Sequence, residues 1–274
     1  MRHVILLAIF TSLLGLAGCN KSPPEQPTAQ APAETPAATA PAADTAAINA
    51  AIASPDRLAG DADQDAWRKP NEVLTFLEVR PGMRVVDYFS AGGYYTELLS
   101  RAVGSNGQVI AYNNPEYLKF SGEKPNQRYG SQRLANVSQL TTPPEEAPFE
   151  PNSLDGALFV MSYHDLHWRA KDGSWPATDP AQALAKLAPA LKPGAAVVVL
   201  DHVATAGSDP AVSVDALHRI DPAIIKRDFE AAGLTFEAES KTFANAADDY
   251  TKPVFDPAVR HKTDQVLYRF RKKA

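Results

Sequence analysis

The stretch "VVDYFSAGGYYTELL", residues 85–99, decides the fold. A short apolar run ends in Asp87, a turn containing Gly92 and Gly93 follows, and "YYTELL" then has the apolar spacing of a helix. A strand, a glycine turn and a helix in this order begin the nucleotide-binding units of α/β proteins. The stretch therefore predicts an α/β domain with a ligand beside the turn.

The rest of the chain continues this alternation of strands and helices. A single domain is predicted over residues 47–274, with a seven-stranded, mostly parallel sheet and helices on both faces. The segment 119–150 is rich in proline and is predicted to be largely irregular. The predicted strands are 84–89, 107–113, 133–138, 153–162, 195–202, 234–240 and 264–272, and the predicted helices are 65–79, 94–104, 179–194 and 221–233.

The N-terminus indicates export. A short basic start precedes the apolar run 4–17, which is too short to span a bilayer comfortably and ends in "LAGC". This ending resembles the bacterial lipoprotein signal. The resemblance implies a signal peptide of residues 1–18, a lipid on Cys19, and a cell-envelope lipoprotein that faces the periplasm from the inner or outer membrane. An ordinary signal peptide is the alternative. Residues 19–46, dominated by Pro and Ala, are predicted to be a disordered tether.

The composition argues against certain partners and certain kinds of site. The formal net charge is -5, from 27 Lys and Arg against 32 Asp and Glu. Nucleic acid as the main partner is not expected, because phosphate binding requires clustered basic side chains. Cys19 is the only cysteine, so no disulfide or catalytic thiol is expected in the domain.

Polar residues stand at the predicted ends of four strands. Ligands of such sheets bind outside the carboxyl ends of the strands, so these side chains are candidates for a site. They are Asp87, Asn113, Asn114, Ser162, His164, Asp165, Asp201 and His202.

Long stretches of the chain resemble the class I S-adenosylmethionine-dependent methyltransferases, in particular a group of predicted bacterial methyltransferases, many of them exported. The resemblance covers nearly all of 54–272. It implies a Rossmann-like fold, S-adenosyl-L-methionine as cofactor, and transfer of its methyl group to a small-molecule acceptor of unknown identity. The matching stretches include "WRKPNEVLTFLEVRPGMRVVDYFSAGGYYTELLS", "FVMSYHDLHW", "LKPGAAVVVLDH", "LHRIDPAIIKRDFEAAG" and "DDYTKPVFDPAVRHKTDQVLYRFRK".

The resemblance assigns the opening turn to the cofactor. Asp87 matches the acid that ends the first strand, and Gly92 lies in the turn. Phe89, Ala91 and Gly93 stand where ordinary members have Gly-x-Gly-x-Gly. Ala91 costs little in place of glycine unless its position requires a positive φ.

The resemblance also assigns two residues at other strand ends to the cofactor. Asn113 stands where methyltransferases commonly have an acid for the ribose hydroxyls, and Ser162 stands at the end of the fourth predicted strand. An amide lacks the charge-assisted strength of a carboxylate, so Asn113 indicates weaker binding or a different ligand.

The predicted catalytic residues are His164, Asp165 and His202. His164 is the favoured base, since an unperturbed histidine titrates near pH 6.5; the alternative is that His164 only bonds a backbone group at the strand end. Asp201 could orient an imidazole. Neighbours on a strand point to opposite faces, however, so Asp201 and His202 need not act together.

Two other hypotheses stay open. The favoured prediction includes no metal, but a zinc site could form from His164, Asp165, His167, Asp201, His202 and His218. A non-catalytic binding module is the second alternative, because the cofactor is made in the cytoplasm whereas the signal directs the chain out of it.

Overall fold

The computed structural model describes residues 42–273. The predicted signal peptide 1–18, Cys19 and the tether up to residue 41 lie outside the described residues. The first helix, α1 (Thr45–Ile52), begins ahead of the predicted domain start at residue 47. Asp44 caps it by accepting a hydrogen bond from the Ala47 N–H at 3.0 Å. No helix within the described range is both long and apolar enough to cross a membrane.

The described elements alternate along the chain as expected. The strands are β1 (Arg84–Tyr88), β2 (Gln108–Asn113), β3 (Val137–Thr141), β4 (Leu154–Val160), β5 (Leu191–His202), β6 (Leu234–Ser240) and β7 (Gln265–Lys272). The further helices are α2 (Asp65–Arg68), α3 (Pro70–Phe76), α4 (Tyr94–Val103), α5 (Pro115–Ser121), α6 (Lys124–Tyr129), α7 (Pro180–Ala190), α8 (Pro210–Leu217) and α9 (Pro222–Ala231).

The seven strands form one sheet in the order β3-β2-β1-β4-β5-β7-β6. β7 runs antiparallel to β5 and β6, and the other neighbouring pairs are parallel. The predicted seven-stranded, mostly parallel sheet is therefore confirmed. The strand order reverses between β1 and β4, so the crevice at the carboxyl ends of these two strands is the expected ligand site.

Helices cover both faces of the sheet, as predicted. β5 shows this directly: Val197 and Val199 belong to one buried cluster, and Val198 and Leu200 belong to the other. Strands covered on both faces are apolar throughout, which explains the unbroken run "AAVVVL".

The predicted helix 65–79 is interrupted at Lys69. This residue has a left-handed φ of 43°, ends α2 and precedes Pro70 at the start of α3. Proline disfavours the helical conformation of the residue before it and donates no N–H, so the chain turns here. The break brings Trp67 and Lys69 to the wall of a cavity, which is described below.

Three other boundaries differ from prediction. The segment predicted as irregular contains the end of α5 and all of α6, and β3 spans Val137–Thr141 rather than 133–138. β5 begins at Leu191, where helix 179–194 was expected to continue. The helix α8 was not predicted. Short helices of this kind depend on tertiary contacts more than on local propensity, so their sequences carry a weak signal.

Candidate functional site

The turn between β1 and α4 contains three left-handed residues. The φ angles of Phe89, Ala91 and Gly93 are 56°, 48° and 79°. A residue with a side chain is less stable in this conformation by roughly 1–2 kcal/mol. Ala91 thus occupies a position that does require a positive φ. The backbone is left-handed at all three positions, although two of them carry side chains.

Asn113 holds this turn in place. Its Oδ1 accepts a hydrogen bond from the Ala91 N–H at 2.9 Å, and its Nδ2 donates to Ser90 Oγ at 3.0 Å. The amide of Asn113 is buried and uses both of its ends on the turn. A carboxylate could not donate to Ser90, which gives a structural reason for an amide here. The predicted contact of Asn113 with a ribose stays a prediction.

Asp87 is a buried acid at the end of β1. It is 3% exposed, and the Thr96 hydroxyl donates a hydrogen bond to its Oδ2 at 2.6 Å. Burial raises the pKa of Asp87 to about 6, against the opposing effects of the Thr96 hydrogen bonds and of the more distant Arg68 and Arg128. Arg128 forms its ion pairs with two other acids, so Asp87 lacks a cationic partner of its own among the described residues.

An aromatic cluster fills the floor beside the turn. The Phe89 ring stacks on Tyr117 and Tyr112, with centroid distances of 4.6 and 5.7 Å. The Tyr117 hydroxyl donates to the carboxylate of Asp165, which follows β4. Tyr117 therefore links the ends of β2 and β4 across the crevice.

The helix α6 packs against the glycines of the turn. A Cβ on Gly93 would lie 2.0 Å from the Tyr129 hydroxyl oxygen, and one on Gly92 would lie 2.9 Å from Lys124 Cδ. Arg128 Nε donates to the Gly92 carbonyl at 2.6 Å. The Tyr129 hydroxyl is buried without a hydrogen-bond partner among the described residues. Both glycines are required for this close approach, and the space beside Gly93 is filled by the chain itself.

Arg128 anchors α6 in this position. Its guanidinium forms ion pairs with Asp61 at 2.7 Å and with Glu97 of α4. Three arginines surround Glu97, and although burial alone would raise the pKa of its carboxyl, these partners lower it to about 2. A buried, multiply bonded arginine holds its element firmly, because removing one partner leaves an uncompensated charge.

His164 lies just after β4 and is oriented by Asp201 of β5. Its backbone N–H donates to Asp201 Oδ2 at 2.9 Å, and its Nδ1 lies 2.7 Å from Oδ1 of the same carboxylate. Burial lowers the pKa of His164, but the charges of Asp165 and Asp201 outweigh it and raise the pKa to about 9. The imidazole is therefore charged at neutral pH, unlike the neutral base that an unperturbed histidine would supply. Its assignment as catalytic base stays a prediction.

The His202 imidazole is held by Thr263 and not by its neighbour Asp201. Its Nδ1 lies 2.7 Å from Thr263 Oγ1. Burial lowers the pKa of His202 to about 3, so its imidazole is neutral. Ser162, the remaining predicted cofactor contact, donates from Oγ to the Tyr88 carbonyl at 3.1 Å.

The six residues of the alternative metal hypothesis do not gather at one point. His167 Nε2 lies 2.9 Å from Asp228, and His202 lies against Thr263. Within residues 42–273, one group of three or more potential ligands converges, with its ligand atoms inside 4.8 Å: His164, Asp165 and His218. Two imidazoles and a carboxylate could bind a transition metal, with Asp201 behind His164 as an outer partner.

A cavity of about 420 Å³ opens beside the ends of β4 and β5. Met161 and His202 line it at the strand ends, Trp67 and Lys69 line it from the α2–α3 break, and the loop between β6 and β7 supplies the rest. We call it the His202 cavity. Sequence inspection missed it because its walls come from segments that lie far apart in the chain. The left-handed backbone of the lining residues Lys69, Met161 and His261 is not indicated by any sequence pattern either.

Arg219, just before α9, is fully enclosed. Its guanidinium pairs with Asp248 at 2.7 Å and donates to the carbonyls of Val203 and Lys252. Its hydrogen bonds stabilise the loop between β6 and β7.

No protein-family model matches the chain. It is 30% identical over 124 residues to the ubiquinone/menaquinone biosynthesis C-methyltransferase UbiE of Idiomarina loihiensis. This match covers 45% of the chain and 44% of that protein. It is also 30% identical over 135 residues to the demethylmenaquinone methyltransferase of Staphylococcus aureus, covering 49% of this chain and 48% of the relative. The chain thus spans about half the length of the curated relatives it matches.

Solved structures share the fold over most of its length. A SAM-dependent methyltransferase from Aquifex aeolicus aligns with a TM-score of 0.54 at 18% identity, over 83% of this chain and 98% of that one. The cyclase SpnF aligns with a TM-score of 0.53 at 15% identity, over 86% and 97%. With the sheet order described above, these neighbours show a Rossmann-like class I methyltransferase fold, as predicted.

Proposed function

We propose that this chain is an S-adenosylmethionine-dependent methyltransferase that acts on a small-molecule acceptor. The fold supports this proposal. So do the two relatives, which are named as methyltransferases and match about half of the chain. The net charge of -5 argues against nucleic acid as the acceptor.

The buried carboxylate of Asp87, unpaired within residues 42–273, is the observation that supports the proposal most directly. A carboxylate that is 3% exposed and lacks a cationic partner favours a ligand that brings positive charge. S-adenosylmethionine carries an ammonium group and a sulfonium. Asn114, at the end of β2, adds a buried Nδ2 without a hydrogen-bond partner, which could donate to the ligand. The polar groups at the strand ends thus fit the cofactor.

The space beside Gly93 fits the cofactor less well. The Tyr129 hydroxyl oxygen would lie 2.0 Å from a Cβ at that position, so a ligand that approaches this backbone must displace it. Binding therefore requires α6 to move away from the turn. Its anchor Arg128 is tied to Asp61 and Glu97, so the free energy of this movement lowers the affinity.

The bound cofactor would supply an electrophilic methyl group, which an acceptor atom takes as the carbon–sulfur bond breaks. The chain's own contribution is alignment of the two molecules. Asp87, Asn114 and the turn would hold the cofactor. His202, neutral and facing the His202 cavity, would orient the acceptor by a hydrogen bond.

The cellular setting is part of the proposal. The "LAGC" ending of the apolar run supports a lipid on Cys19, and with it attachment to the cell envelope. The signal peptide 1–18 and the tether 19–46 would place the domain on the periplasmic side. A methyltransferase there must receive its cofactor from the cytoplasm.

A second candidate function is a non-catalytic binding module. Its support is the filled space beside Gly93, which is also what a retired cofactor site would show. The two functions differ in whether a methyl group leaves the cofactor.

Transfer of a labelled methyl group distinguishes them. The purified chain is incubated with S-adenosylmethionine labelled in its methyl group and with a small-molecule extract of the producing bacterium. We expect labelled product with the wild-type chain and at least a tenfold loss with Asp87→Ala. Cofactor binding without any labelled product, in extracts from several growth conditions, would favour the binding module.

A further inference from the structure

The His202 cavity has the chemical features of a binding site for an organic anion. It lies at the carboxyl ends of β4 and β5, on the side of the sheet covered by α3 and α4. Arg68, between the lining residues Trp67 and Lys69, contributes to the electrostatics of Asp87. The cavity is therefore close to the strand end that we assign to the cofactor.

The wall of the cavity is basic. Among residues 42–273, Lys69, Arg260 and Lys262 line it, and no aspartate or glutamate does. Lys69 Nζ donates to the Thr242 carbonyl at 2.5 Å, whereas Arg260 and Lys262 take part in no ion pair within residues 42–273. Burial and the charges of Arg260 and Arg68 lower the pKa of His261, which indicates a positive potential here.

The acid within the wall segment already has hydrogen-bond donors of its own. Asp264 lies between the lining residues Thr263 and Gln265, but its carboxylate accepts hydrogen bonds from the Asn245 N–H at 2.7 Å and from the Tyr250 hydroxyl at 3.0 Å. Its charge is held by these donors. The two unpaired cations therefore determine the sign of the charge that the cavity attracts.

Aromatic rings also line the cavity. The Trp67 ring lies 4.3 Å from the His261 ring, Phe243 is buried, and Phe255 is 58% exposed at the rim. Large apolar side chains beside cations suit a ligand with a flat ring and a charged substituent.

Gln265 adds a requirement for a hydrogen-bond donor. It is 7% exposed, and its Oε1 is buried without a partner among the described residues, whereas its Nε2 donates to Thr263 Oγ1 at 3.2 Å. An unpaired buried oxygen destabilises the protein until a donor reaches it. A ligand N–H or O–H would satisfy it beside His202.

The backbone of the cavity wall is strained at three places. Lys69, Met161 and His261 have left-handed φ angles of 43°, 54° and 63°, and all three line the cavity. Residues with side chains persist in this conformation where the surrounding structure enforces it, and such residues concentrate at binding sites.

We propose that the His202 cavity holds the methyl acceptor, and that this acceptor is an anionic, ring-bearing small molecule with a free N–H or O–H group. The identification of the occupant as methyl acceptor rests on the proposed function. The chemical class of the occupant rests on the cavity alone.

Three indole probes test the chemical class. Indole-3-acetate has the ring, the charge and the N–H; indole-3-acetamide lacks the charge, and 1-methylindole-3-acetate lacks the N–H. Calorimetric titration of the full-length chain is expected to give indole-3-acetate at least fivefold tighter binding than either analogue. Equal affinity for acid and amide, or no binding of any probe at 5 mM, would overturn the proposal.

Charge variants locate the site. The double variant Arg260→Gln/Lys262→Gln is expected to lose the preference for the acid over the amide. Lys192→Gln/Lys241→Gln removes the same charge from residues that pair with Asp155 and Glu239 outside the cavity, and should keep the preference. An unchanged preference in the first pair would refute the assignment. The probes need no cofactor, so a parallel titration that shows no S-adenosylmethionine binding would count against the proposed function and leave the cavity assignment intact.

Discussion

At the scale of single residues, Asp87 destabilises the folded protein and has a proposed role in binding. Its charge is buried at the end of β1, and burial raises its pKa to about 6. A group that destabilises the free protein while it favours a cationic ligand is expected at a functional site.

This burial predicts a specific pH dependence. The folded state holds the Asp87 proton more tightly than the unfolded state, in which the carboxyl has its ordinary pKa of 3.8. The contribution of Asp87 to stability is thus fully present below pH 3.8 and is lost as the pH rises through about 6. We expect Asp87→Asn to raise the free energy of unfolding at pH 7.5 by about 1–3 kcal/mol and to change it little at pH 4.

Urea unfolding of wild type and variant at both pH values measures this effect. Asp63→Asn, at an exposed acid, serves as control and should leave the pH dependence unchanged. The same stability difference between wild type and Asp87→Asn at both pH values would contradict the account of Asp87.

Single residues also show where sequence inspection stops. Asp87 and the polar strand ends could be located, because strand ends follow from apolar runs. The hydrogen-bond partners of these residues could not be predicted. Asp201 orients His164 across 37 positions of sequence, and no local pattern indicates this contact. The charge state of His164 follows from the same contact, which is why an ordinary histidine pKa was the wrong expectation.

At the scale of elements, α6 controls the space beside the turn. It was predicted as irregular chain, because a six-residue helix has too few residues for a periodic pattern. Its position follows from the Arg128 ion pairs and from the two glycines that admit Lys124 and Tyr129. The long, regular strands and helices were predicted well, since their burial follows from apolar periodicity.

Tyr129→Ala tests this role of α6. Removing the ring frees the space beside Gly93, so we expect S-adenosylhomocysteine to bind at least fivefold more tightly than to wild type. A stability loss of roughly 1–3 kcal/mol should accompany the gain, since the ring is half-buried against the turn. Tyr129→Phe removes only the hydroxyl oxygen that lies nearest to Gly93, so its affinity should lie between those of wild type and Tyr129→Ala. Equal affinity in all three chains would show that α6 does not obstruct the site.

At the scale of the whole molecule, the fold alone does not define the reaction. A methyltransferase and the cyclase SpnF align with this chain about equally well. The function therefore depends on the residues at the strand ends. In this chain the strand ends carry a buried acid and a turn in which Phe89 and Ala91 stand at left-handed positions. A cavity lined by basic and aromatic residues lies nearby.

The central claim is that these strand ends bind S-adenosylmethionine. Its most direct test is calorimetric titration of the purified chain with S-adenosylmethionine and S-adenosylhomocysteine, beside the Asp87→Ala variant. We predict micromolar affinity for the wild type and at least a tenfold loss in the variant, with both proteins folded. An absence of binding heat at millimolar ligand would contradict the methyltransferase assignment and leave the turn as the remnant of a cofactor site.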